Sequence, residues 1–132
     1  MKTIRVVIGR STDNYGAYAE DVPGIWGGGN SVAEARQSIL DAIQLIKEYN
    51  KDENIPAVLK EEYQIVWKMD VESLIAYYKG IFTSAALERI TGINQRQLSH
   101  YATGLKKPRP NQRKKIEEAL HSLGSELLAL EL

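Results

Sequence analysis

The chain has 132 residues, no cysteine, two histidines, and 17 Lys+Arg against 17 Asp+Glu, for a formal net charge of zero. That length fits one ordinary domain or two very small ones. Disulfides, thiolate catalysis and cysteine-bound zinc are excluded, and two histidines are too few for a histidine metal centre. No apolar run is long enough to span a bilayer and no signal-like leader precedes Thr3, so a cytoplasmic protein with no membrane association is expected.

Thr3–Ile8 (TIRVVI) is β-branched and apolar and reads as a central strand. Ser11–Asn14 has turn chemistry, and Tyr15–Ala19 (YGAYA) resumes as a second strand, giving a hairpin. Glu20-Asp21-Val22-Pro23-Gly24 is a turn, and Ile25 and Trp26 start a short third strand. Gly27–Asn30 reads as a flexible loop. Backbone amides ahead of a helix attract anions, but no Gly-Lys-Ser/Thr follows, so a phosphate loop is not indicated. Ser31-x-x-Glu34 is a capping box opening a long helix, with Val32, Ala35, Ile39, Ile43, Ile46 and Tyr49 on its apolar face. Asp52–Lys60 breaks the pattern, and Tyr63, Ile65, Trp67 and Met69 then alternate as a half-buried strand.

Asp70 caps a helix carrying Val71, Leu74, Ile75 and Tyr78. Thr83 caps the next, which has Ala86, Leu87 and Ile90 inward and ends at Gly92, where a sharp exit needs positive φ. Asn94 caps another, with Gln97 at the capping-box position, and Leu98, Tyr101 and Ala102 point inward. Two helices joined by a short Gly-containing turn make a helix-turn-helix pattern. Pro108 precedes a last helix, and Ile116, Leu120, Leu123, Leu127 and Leu130 recur in steps of four and three. Ile116–Leu123 reads as the last helix of the core, ending at Gly124, and SELLALEL beyond it as a subunit contact.

Charge is divided unevenly along the chain. Residues 1–79 hold nine Lys/Arg and twelve Asp/Glu, a balance of −3, and residues 80–132 hold eight and five, a balance of +3. From Arg89 to Lys115 there are eight cations and no anion, the distribution that a phosphate backbone favours through counterion release. Gln and Arg side chains suit adenine and guanine edges in the major groove. Tyr15, Tyr18 and Trp26 read as core aromatics of strands or, where exposed, as anchors for a protein partner.

Two resemblances cover nearly the whole chain. Gly92-Ile93-Asn94-Gln95, Leu98-Ser99-His100, Thr103-Gly104 and Pro108 ahead of a helix with Ile116 resemble the Xre/Cro-like helix-turn-helix family. That resemblance implies bases read by Gln95, Arg96 and Gln97, with His100 one turn on; Glu88 departs from it, standing where the family usually has a small residue. Ser99 on the same outward face and the cations Lys106, Lys107, Arg109, Arg113 and Lys114, which face phosphates, complete the expected DNA-binding set. Tyr18-Ala19-Glu20-Asp21-Val22-Pro23-Gly24, Gly29 and Ser31-Val32-Ala33-Glu34-Ala35 resemble the HicB antitoxin pattern. This implies a truncated RNase H-like domain that blocks a small, basic, mRNA-cleaving HicA-like toxin. The candidate toxin-binding residues are Tyr15, Tyr18, Glu20, Asp21, Pro23 and Trp26.

The expected fold is α+β: a β-β-β-α-β toxin-binding domain at 1–69, then an all-α helix-turn-helix domain at 70–132 with an oligomerisation tail. The expected function is that of a type II antitoxin that neutralises its toxin and represses its own operon as a homodimer or higher homo-oligomer. No catalytic residue, metal or cofactor is expected. A stand-alone transcription regulator with a ligand-sensing front domain is the alternative. A metal-dependent RNase H-like hydrolase using Asp13, Glu20, Asp21 and Asp41 is a third reading, against which stands the adjacency of Glu20 and Asp21, since neighbours on a strand face opposite sides.

Overall fold

Five of the six residues from Thr3 to Ile8 are β-branched, and they form the middle of strand β1 (Lys2–Arg10). In the computed structural model, which describes residues 1–132, β1 pairs antiparallel with β2 (Tyr15–Ala19) and parallel with β4 (Tyr63–Met69). Strand β3 (Trp26–Gly29) pairs antiparallel with β2, completing a four-stranded mixed sheet of order β3-β2-β1-β4. The protein is thus α+β, one mixed sheet with six helices. By its contacts the chain divides into two units, Met1–Asp70 and Val71–Leu132.

Period-2 alternation decides which sheet face is covered. Ile4, Val6 and Ile8 of β1 and Ala17 and Ala19 of β2 are buried. So are Val32, Ala35, Ile39 and Ile43 of helix α1 (Val32–Tyr49), which packs on β2 and β3. Each large aliphatic side chain buried here contributes about 1.5–3 kcal/mol. Ser31 caps α1 by accepting from the Glu34 amide at 3.1 Å. The apolar face ends earlier than its spacing suggests: Ile46 is half-buried, and Tyr49 is 79% exposed.

Gly27–Gly29 is strand rather than the flexible loop its composition suggests. Its residues pair with Tyr15–Ala17 of β2, and the approach of α1 is what requires glycine there. A Cβ on Gly27 would collide with the Ser38 side chain, and one on Gly29 with Glu34 Cβ, coming also within 3.0 Å of the Ala35 amide nitrogen. Ser38 Oγ accepts from the Gly28 amide at 3.1 Å, tying the edge strand to the helix. Gly29→Val is therefore expected to lower the stability of this unit by about 1–3 kcal/mol, the cost of overpacking a close contact. A denaturation midpoint equal to that of the parent chain would refute this account.

Between α1 and β4 lie a 3-10 turn at Asp52–Asn54 and the one-turn helix α2 (Ala57–Lys60). Pro56 presets the entry to α2, and Leu59 drops into the core at 4% exposure. This stretch therefore carries structure beyond the plain β-β-β-α-β order expected.

The second unit contains α3 (Val71–Tyr78), α4 (Ser84–Thr91), α5 (Gln95–Ala102) and α6 (Pro110–Leu128). Its core is Val71, Leu87, Ile93, Leu98, Tyr101 and Ile116, flanked by Leu74, Ile75, Phe82, Ile90 and Leu120. Helix α6 does not stop at Gly124 but runs to Leu128, with Leu127, Leu128 and Leu130 exposed.

Candidate nucleic-acid interface

The α4–α5 turn is built from local hydrogen bonds. Thr83 Oγ1 accepts from the Ala86 amide at 3.0 Å and opens α4. Gly92 closes it at φ +73, with its amide donating to the Glu88 carbonyl at 2.7 Å. Any other residue would be strained in that left-handed conformation. Thr91, buried, donates its hydroxyl to the Leu87 carbonyl at 2.6 Å and accepts from the Ile93 amide at 3.1 Å. The bend is thus stitched on both sides of Gly92, and Ile93 is held in the core. Asn94 Oδ1 caps α5 by accepting from the Arg96 amide at 2.8 Å.

The outward side chains of α5 are not equally free. Arg96 and Ser99 are exposed. Gln95 is exposed, but its Nε2 donates to Glu88 Oε2 at 2.7 Å. Gln97 is half-buried and donates to the Tyr101 hydroxyl at 2.9 Å, not back to the Asn94 backbone as a capping box requires. That bond satisfies a phenol whose residue is only 2% exposed, and it turns Gln97 toward the core. His100 is half-buried, with Nδ1 buried and without a hydrogen-bond partner. The surface that α5 presents is therefore Gln95, Arg96 and Ser99, with His100 at its margin.

Beyond α5 the basic residues stand out into solvent. Lys106, Lys107, Arg109, Arg113, Lys114 and Lys115 are all exposed. The one ion pair among them, Lys114–Glu118 at 4.0 Å, joins two exposed side chains and is worth little. Helix α6 begins with Pro110 in its first turn and Arg109 at its N-cap, with no side chain bonded to its first amides. Its positive end therefore adds to the charge of Arg113 and Lys114 beside it. This can attract a chain of phosphates and can fix its register through several points of contact.

No family model, curated protein or solved structure matches this chain.

In the first unit the candidate partner-binding residues separate onto different surfaces. Register pairs Trp26 with Tyr18, Tyr18 with Val7, and Val7 with Lys68, so these four form one cross-strand row on the sheet face opposite α1. Trp26 is 73% and Tyr18 53% exposed, against the core placement usual for strand aromatics. Tyr15 is half-buried and, by alternation from Tyr18, lies on the other face. Glu20 is paired with Lys68 at 3.3 Å, while Asp21 and Pro23 are exposed in the turn on either side of buried Val22. No three Asp, Glu or His side chains converge where they would share one ion.

Three contributing residues escaped the sequence reading: Thr91 looks like an ordinary member of α4, and Val7 and Val66 like ordinary strand residues. Val66, exposed on the uncovered sheet face, had a signal in the alternation of β4. Glu88 stands out in the sequence, four residues before Gly92 where the Xre/Cro-like pattern usually has a small residue, but its bond to Gln95 does not.

Proposed function

We propose that this chain is a HicB-like antitoxin: a repressor that binds operator DNA through an Xre/Cro-like helix-turn-helix and sequesters a small basic toxin with its α+β unit. The observation that carries the DNA reading is the band of cations from Arg89 to Lys115, which contains no acidic residue and whose members in and after the α5–α6 loop are exposed. Arg96 and Ser99 supply side chains for base edges, with Gln95 beside them, and Lys106, Lys107, Arg109, Arg113 and Lys114 supply phosphate contacts. A palindromic operator would engage two copies, and the exposed leucines at the end of α6 are suited to joining them.

The partner reading rests on the exposed Trp26–Tyr18 pair, on the −3 balance of residues 1–70 (eight Lys/Arg, eleven Asp/Glu), and on the resemblance of Tyr18–Gly24 and Ser31–Ala35 to HicB antitoxins. Aromatic pairs of this kind provide the anchors of protein interfaces. An acidic unit suits a basic partner and steers its approach.

Two measurements test the two halves. The tagged chain expressed with its neighbouring reading frames should retain a small basic protein that is released only on denaturation. Recovery of a homo-oligomer with no companion would remove the antitoxin reading. On DNA from the promoter of its own gene, Arg96→Ala should relax sequence preference, whereas Lys107→Ala should weaken all sequences alike and lower the salt slope by about 1. Operator binding that survives both changes intact would remove the recognition-helix assignment.

A further inference from the structure

We propose that Glu88 is a positioning residue that fixes which way the Gln95 amide faces, and so decides which base Gln95 reads. The inference rests on the DNA-binding reading above. Gln95 is the first residue of α5, and its Nε2 donates to Glu88 Oε2 at 2.7 Å from one turn before the end of α4. A glutamine amide has a donor and an acceptor end of nearly equal shape. When free, it can rotate to offer either end to a base edge.

An ionised carboxylate has only acceptor atoms. It holds the NH₂ end of Gln95 and repels the oxygen end, so the flipped amide is excluded. One N–H of Gln95 is then committed to Glu88, while the second N–H and Oε1 remain in a fixed order. That order is a donor beside an acceptor, which matches N7 and N6–H of adenine. Guanine presents two acceptors, N7 and O6, and would place O6 against Oε1. A Gln95 free to rotate meets guanine with its NH₂ group instead, so the carboxylate narrows the choice to adenine. The contact is also pre-formed, so less rotamer freedom is lost when the base arrives.

The arrangement has an electrostatic consequence as well. Glu88 is half-buried and is the one acidic residue on α4 or α5. It sits at the N-terminal end of α5, where the helix dipole stabilises an anion. A phosphate backbone is repelled from it whatever the sequence, and only a matching base against Gln95 offsets that cost. Specificity obtained by penalising the wrong partner follows the same logic.

The test uses the full chain and a pool of duplex DNA of randomised sequence, with selected sites compared among parent, Glu88→Gln, Glu88→Ala and Gln95→Ala. Glu88→Gln keeps a hydrogen-bonding partner of the same shape but accepts either amide orientation. At one base pair of each half-site the parent should prefer adenine by roughly fivefold or more, the discrimination of one good bidentate contact. Both Glu88 variants should reduce that preference to near equality between adenine and guanine, leave the other positions unchanged, and raise affinity for unselected DNA. In a Gln95→Ala background, Glu88→Ala should change base preference no further. Unchanged preference at every position in Glu88→Gln and Glu88→Ala, with DNA binding retained, would overturn this inference alone, whatever happened to their melting temperatures. A parent chain that selects no sequence would overturn the DNA-binding reading and this inference with it.

Discussion

Replacing Trp26 and Tyr18 together by alanine is expected to abolish capture of the basic partner while leaving the first unit folded. The two residues are cross-strand partners on the sheet face opposite α1, Trp26 73% and Tyr18 53% exposed, so their loss opens no cavity. The cost to folding is that of one cross-strand aromatic pair, about 0.2–1 kcal/mol. In an interface the same rings would be fully desolvated, and anchors of this type cost about 2 kcal/mol or more each on truncation. A combined loss near 4 kcal/mol corresponds to roughly a thousandfold in Kd. Titration calorimetry of the purified pair reads the affinity directly, and Tyr49→Ala supplies a control. Tyr49 is an aromatic residue 79% exposed at the end of α1, outside the Trp26–Tyr18 row, and its removal should leave affinity unchanged. Undiminished binding by the double variant would show that the partner docks elsewhere.

What could be read from the sequence, and what could not, follows the range of the forces involved. The cap of α1 was legible because Ser31 and the Glu34 amide are three residues apart, and their bond closes without help from the rest of the fold. Gly92 was legible for the same reason, since a helix exit demands left-handed φ wherever it occurs. The alternation Tyr63–Met69 survives as a strand because one face of β4 meets the core and the other meets solvent. Gly27–Gly29 was not legible as a strand, for glycine has the weakest claim to β structure. Those three residues are a strand because they pair with Ala17, Gly16 and Tyr15 of β2, and they are glycine because a Cβ would collide with Ser38 at Gly27, with the Tyr15 carbonyl at Gly28 and with Glu34 at Gly29. The proximity of Ser38 and Glu34 is a property of how α1 crosses the sheet, and no local pattern carries it.

The candidate DNA site divides in the same way. The number and sign of its cations could be counted, and their exposure follows from their chemistry. The state of each glutamine could not be counted. Gln95 and Gln97 are alike in sequence, yet one is tied across the turn to Glu88 and the other packs back on Tyr101. Which partner each finds depends on the angle between α4 and α5, and that angle is set by Ile93 and Leu98 in the core between them. Gly124 misled for a related reason. In a helix interior glycine costs only about 0.5–1 kcal/mol relative to alanine, too little to end α6 when its neighbours favour continuing.

Leu98→Ala is the substitution expected to cost the second unit most, and it separates the scaffold from the surface it carries. Leu98 is 2% exposed, sits on α5 between the outward residues Arg96 and Ser99, and packs with Leu87, Ile93, Tyr101 and Ile116. Truncating a leucine in such a place removes its transfer free energy and leaves a cavity, about 2–5 kcal/mol in all. At roughly 0.05–0.15 kcal/mol per residue, a unit of this length holds only about 3–9 kcal/mol. The loss would therefore consume most of its stability, and operator affinity should fall with the helical signal in circular dichroism, although no DNA-facing side chain has changed. Both tryptophans, Trp26 and Trp67, lie in the first unit, so their fluorescence shows whether that unit remains folded when the helical signal is lost. Leu98→Met, which nearly conserves volume, should restore DNA binding to within about 1.5 kcal/mol of the parent. A Leu98→Ala chain with parental urea midpoint and parental operator affinity would mean that α5 does not draw its position from this core. The assignment of Arg96 and Ser99 to a single rigid reading surface would then have to be given up.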